Sequence, residues 1–79
     1  MVKEIEVLRV LRLHEDLRSG RAQRVVHLAG LTNADVGRVV GVSASSIWWY
    51  FNAGRRPRPA TALRLAHLLE QLEVVRSAS

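Results

Sequence analysis

The chain has no cysteine among its 79 residues, so disulfides and thiolate metal sites are excluded. It has two prolines, both in one stretch, Arg55-Arg56-Pro57-Arg58-Pro59. Aromatic residues make up 5%, and all of them lie in one run, Trp48-Trp49-Tyr50-Phe51. No apolar run approaches the roughly 20 residues that a membrane-spanning helix needs. The start, Met1-Val2-Lys3-Glu4-Ile5-Glu6, mixes both charge signs and leads into no long apolar stretch. No export signal is expected from it, and the expected location is the cytoplasm. There is no glycine-rich phosphate loop, and no serine, histidine and acid are spaced as a catalytic triad. His14, His27 and His67 lack the i, i+4 pairing of helical zinc motifs. The expectation is therefore a protein with no catalytic residues, no metal, no cofactor and no small-molecule ligand.

Acidic residues are scarce where basic ones are dense. The net charge is +5, and eleven of the twelve basic residues are arginine. Between positions 17 and 69 there are eight arginines and one acid, Asp35, while the flanking stretches are nearly neutral. A basic middle between near-neutral ends suits a polyanionic partner.

Helix-forming residues dominate, and strand-like alternation is not sustained anywhere. The pattern predicts one all-α domain over residues 1–79 with five helices. The first covers about 3–18 and carries an apolar arc wider than a surface helix needs. Ser19-Gly20 ends it, or a single helix continues to residue 29, since an interior glycine costs only about 1 kcal/mol. The second covers about 21–29 and offers Val25, Leu28 and Ala29 to a core. The third starts at Thr32-Asn33-Ala34-Asp35, a capping box with Asp in place of Glu, and turns Val36, Val39 and Val40 inward. The fourth follows the cap Ser43 and runs to about 52. The fifth covers about 60–74, with Pro59 in its first turn. The tail, 76–79, is expected to fray.

Three residues, Gly41-Val42-Ser43, join the third and fourth helices, which is the mechanical arrangement of a helix-turn-helix over about 33–52. In order, the chain reads Gly30-Leu31-Thr32-Asn33, Val36-Gly37, Val40-Gly41-Val42-Ser43 and Ile47. The loop Arg55-Arg56-Pro57 and the run Leu63-Arg64-Leu65-Ala66-His67-Leu68-Leu69 follow. Residues 30–69 resemble the phage-repressor and Cro-type helix-turn-helix family, with its compact lambda-repressor-like fold. The resemblance implies a double-stranded DNA partner and a transcriptional repressor of a temperate phage. It also implies a fourth helix, 44–52, that enters the major groove with Ala44 and Ser45 near base edges. Three departures stand out. Gly37 replaces the family's usual alanine, Phe51 replaces a polar residue, and Ala53-Gly54 shifts the family's exit glycine by one position.

The helical period gives the fourth helix its faces. With Ile47 as core, Phe51 lies about 40° to one side and Tyr50 about 60° to the other. Trp49 at about 200° and Ser45 at about 160° point outward, as does Asn52, and Trp48 sits on a flank. Trp49 and Asn52 join Ala44 and Ser45 as candidate base contacts. Trp49 offers apolar area and one N–H donor, without the bidentate pairing that arginine makes with guanine. Candidate backbone contacts are Thr32 and Asn33 at a helix N-terminus, Arg38, Ser46, Trp48, and Arg55, Arg56 and Arg58 on the proline-stiffened loop. A homodimer is open, through the first helix or the end of the fifth, or formed only on DNA. Two other readings remain. One is a protein-interaction module built on the first helix and the tryptophans. The other is an antitoxin-like or excisionase-like accessory protein that also binds DNA.

Overall fold

The computed structural model describes residues 2–78. It is all-α, with helices α1 (Val2–Ser19), α2 (Arg21–Leu28), α3 (Asn33–Val40), α4 (Ala44–Asn52) and α5 (Pro59–Ala78). α1 and α2 are separate helices: the chain breaks at Gly20, whose φ of +83° no helix interior holds.

Every helix contributes to one apolar core. Leu13 comes from α1, Ala22, Val25 and Val26 from α2, Val36 and Val40 from α3, Ile47 and Phe51 from α4, and Ala62, Leu65, Ala66 and Leu69 from α5. Each fully buried branched side chain stabilises the fold by roughly 1.5–3 kcal/mol. The alanines at 22, 62 and 66 let the helix backbones come close, so that the larger side chains interdigitate. Val10, Leu17, Leu31, Tyr50, Leu68 and Leu72 pack around this centre.

Ion pairs tie the periphery of α1, α2 and α5. Arg9 on α1 grips Glu70 on α5 with two guanidinium bonds, the Nε one at 3.0 Å. Those bonds hold the Glu70 carboxyl below the usual carboxylate range. Arg21, the first residue of α2, bridges Asp16 at 3.1 Å and Glu73 of α5. One arginine thus joins three helices where their apolar surfaces run out.

Three details differ from the expected pattern. Leu28 and Ala29 face solvent, because Ala22 and Val26 set the phase of α2 and put Leu28 about 120° round from the core. Val39 is exposed and Gly37 takes its inward place, since α3 follows the spacing 33, 36, 37, 40. α5 does not stop near residue 74 but continues to Ala78. No glycine or proline follows Pro59 to break it. Leu72 on the core and Glu73 on Arg21 anchor the turn from which it propagates. Ser79, the end of the tail, lies outside the described residues.

Candidate nucleic-acid interface

α3 opens on a complete capping box. The Thr32 hydroxyl accepts from the Asp35 N–H at 3.1 Å, and Asp35 accepts from the Thr32 N–H at 2.9 Å. The Thr32 N–H, and after it the Thr32 hydroxyl, hold the Asp35 carboxyl below its ordinary range. Arg38 pairs with the same carboxylate from one turn on, while its own side chain stays largely exposed. Asn33 is half-buried, and its Oδ1 is enclosed without a hydrogen-bond partner. Thr32 and Asn33 thus stand at the N-terminus of α3, and Arg38, in its last turn, is linked to Thr32 through Asp35, with Thr32 and Arg38 at the surface.

The turn into α4 is closed down on Gly37. A Cβ at that position would lie 2.5 Å from the Val42 carbonyl oxygen. The Gly37 carbonyl accepts from the N–H groups of both Gly41 and Val42, at 2.7 and 2.9 Å. The absent side chain at 37 is thus a requirement of this turn and not merely a tolerated reduction from alanine. Ser43 then caps α4, accepting from the Ser46 N–H at 3.1 Å and donating to the Ser46 hydroxyl at 3.0 Å. Arg64 of α5 reaches back to the last carbonyl of α3, that of Val40, at 3.4 Å. Sequence reasoning missed this arginine. Its contact spans 24 positions, and only the general preference of cations for helix C-termini hints at it.

α4 divides sharply. Ile47 and Phe51 are buried and Tyr50 is half-buried. Ala44, Ser45, Trp48, Trp49 and Asn52 are exposed. The spacing 45, 48, 49, 52 places four of these on one stripe. Trp48 is 48% exposed and Trp49 46%, so the flank position receives no more cover than the outward one. Their rings meet edge to face, with centroids 5.1 Å apart at 89°. Asn52 donates from Nδ2 to the Trp48 carbonyl at 3.1 Å, which leaves its other N–H and its Oδ1 outward.

The helix exits where Ala53-Gly54 predicts. Ala53 is the C-cap, and Gly54 takes the left-handed φ of +71° one residue later. The Trp49 carbonyl accepts from both the Ala53 and the Arg55 N–H. Pro57 is buried, so it pins the loop while Arg55, Arg56 and Arg58 stay exposed around it. Among the described residues, five of the seven acids are held in ion pairs by Arg9, Arg18, Arg21 and Arg38, and no ion pair reaches these three loop arginines. The loop charge is not neutralised within the protein.

α1 borders the same region. His14 lines a cleft with Tyr50, Phe51, Asn52, Arg55 and Arg56. Burial, and then the charge of Arg56, push the His14 imidazole below its ordinary pKa. Among the described residues no group of three or more histidines and acids is placed to hold a metal ion. No described helix is long and apolar enough to cross a membrane.

Comparison with known proteins agrees with this architecture. No curated protein and no solved structure matches the chain. A family model described as a helix-turn-helix domain matches residues 6–78, which includes most of α1 as well as the α3–α4 unit. The chain belongs to the helix-turn-helix domain family, a DNA-binding family.

Proposed function

We propose that this protein is a sequence-specific transcriptional regulator of double-stranded DNA, with α4 as the helix that enters the major groove. The observation that carries the reading is the junction of two surfaces. The outward stripe of α4 ends directly at the loop whose arginines lack carboxylate partners. A major groove about 12 Å wide admits such a helix, and phosphates flank it on both sides. Ala44, Ser45, Trp49 and Asn52 then face base edges. Arg55, Arg56 and Arg58 clasp the strand beyond the C-terminus of α4. Thr32, Asn33 and Arg38 approach the other strand, with Ser46 and Trp48 beside the groove wall.

Within that function, the order of motifs from Gly30 to Leu69 favours a Cro-like repressor of a temperate phage. The proposed unit is the whole span 1–79, with α1 added ahead of the helix-turn-helix. A second copy has the exposed side of α1 available to it, where Ile5, Leu8 and Leu11 face solvent. A symmetric pair would read half-sites about one helical turn apart.

The test is a binding titration against the upstream genomic duplex and a scrambled duplex, at two salt concentrations. The expected result is tight binding to the first, much weaker binding to the second, and a steep loss with salt. Salt-insensitive or absent DNA binding would overturn the reading and transfer the tryptophans and α1 to a protein partner.

A further inference from the structure

We infer that the recognition surface of α4 reads the 5-methyl groups of pyrimidines, so that the DNA it selects carries thymine or 5-methylcytosine at the steps facing Trp48 and Trp49. The inference rests on the proposed DNA-binding function and adds the chemistry of its target.

α4 contains no charged residue. The commonest specific base contact, arginine or lysine bidentate to guanine, is therefore absent from the helix itself. The adenine-reading alternative is a bidentate asparagine. Asn52 is the sole amide on the helix, at its last residue, and its bond to the Trp48 carbonyl at 3.1 Å leaves one N–H and Oδ1, enough for one adenine at most. What the exposed side of α4 offers in quantity is apolar area: the Ala44 methyl group and two half-exposed indoles. In the major groove, the base feature that answers apolar area is a pyrimidine 5-methyl.

Geometry supports the match. From Ser45 to Asn52 the stripe rises about 10 Å along the helix, or about three base-pair steps. The tryptophans occupy its middle. Their edge-to-face contact braces each ring against the other, which reduces the side-chain freedom to be lost on binding. The unpaired arginines of the 55–58 loop give the surface the sign a nucleic acid requires.

The experiment selects duplexes from a random-sequence pool with the full chain. It then replaces each thymine of the selected duplex by deoxyuracil, which removes only the methyl group. The expected loss is about four-fold for each methyl buried against an indole. In the Trp49→Ala variant the thymine-to-deoxyuracil ratio falls toward one, whereas in Arg55→Ala both affinities fall together and the ratio stays. The ratio is internal to each variant, so a general loss of folding does not mimic the effect. Replacing the same T·A pairs by 5-methylcytosine·G pairs separates the two sources: retained binding means the methyl alone is read, and lost binding assigns the contact to the T·A pair. A selected duplex that binds equally well with deoxyuracil overturns the methyl reading and leaves the DNA-binding function standing. Failure to select any duplex, with no salt-dependent binding, overturns both.

Discussion

Several helices of this protein turn apolar side chains to solvent, and two of them, α1 and α4, do so in different electrostatic settings. On α1, Ile5, Val7, Leu8 and Leu11 are exposed among charges of both signs, Glu4, Glu6, Arg9 and Arg12. On α4, Trp48 and Trp49 are exposed on a helix with no acid at all, next to Arg55, Arg56 and Arg58. Exposure alone therefore does not define the partner. A polyanion meets charges of both signs along α1 and, at the C-terminal end of α4, guanidinium groups with no ion-pair partner among the described residues. The comparison favours α4 as the side proposed for nucleic acid, and leaves α1 as the surface proposed for a protein, a second copy included.

The largest way to break this contrast is to remove what holds α4 in place. Ile47 is fully buried on the inner side. Ile47→Asp places an unpaired carboxylate in the core, at a cost comparable to the domain's whole stability. Circular dichroism should show loss of the cooperative thermal transition, and a folded variant would mean that α4 is not seated as described. Next in size is reversal of the loop charge. Arg55→Glu with Arg56→Glu should weaken DNA binding about 100-fold near 0.1 M salt and lower the salt slope by about two. Arg12→Glu makes the same kind of change on exposed α1 and should leave the slope unchanged. Equal effects at the two places would erase the contrast, because charge would then act at a distance rather than by contact.

Much of this arrangement is legible in the sequence where the signals are local. The Thr32–Asp35 capping box, the Ser43 cap and the shifted exit at Ala53-Gly54 each involve neighbours a few positions apart. The inner face of α4 is legible as well, since Ile47, Tyr50 and Phe51 fix its phase. Eight-residue helices fix phase poorly, however, because three apolar positions fit more than one orientation. That is why Leu28 and Val39 face solvent while Ala22 and Gly37 face inward. Contacts between distant residues are illegible in principle. The Arg21–Glu73 pair helps carry α5 past its expected end, and Arg64 reaches the Val40 carbonyl from 24 positions away. The candidate base and phosphate contacts are legible as exposed positions, and geometry adds what each has left to give, such as the partly committed amide of Asn52.

A finer test compares single apolar side chains. Trp49→Ala should weaken DNA binding about ten-fold, in the range of an interface aromatic, with little change in melting temperature because the ring is half in solvent. Leu8→Ala removes a still more exposed side chain from α1 and should change neither DNA affinity nor stability by more than about 0.5 kcal/mol. If Leu8→Ala instead shifts the sedimentation profile, the α1 surface joins two copies.

The smallest expected effect concerns His14, which sits where the two regions meet. It lines one cleft with Glu15 and Arg18 of its own helix, Tyr50 and Asn52 of α4, and Arg55 and Arg56 of the loop. Burial, and then Arg56, hold its pKa below the ordinary 6.5. As pH falls, the unfolded chain therefore takes up this proton before the folded one does. The associated stability is present above about pH 6.5 and is lost as pH drops through that value toward the folded pKa. Melting curves from pH 7.5 to 5 should show a decline that His14→Gln reduces. Phosphates bound at Arg55 and Arg56 would offset the positive charge that opposes protonation, so in the DNA complex the decline should flatten. An unchanged decline on DNA would place the phosphates away from this loop, and would move the boundary between the two surfaces back toward the N-terminus of α4.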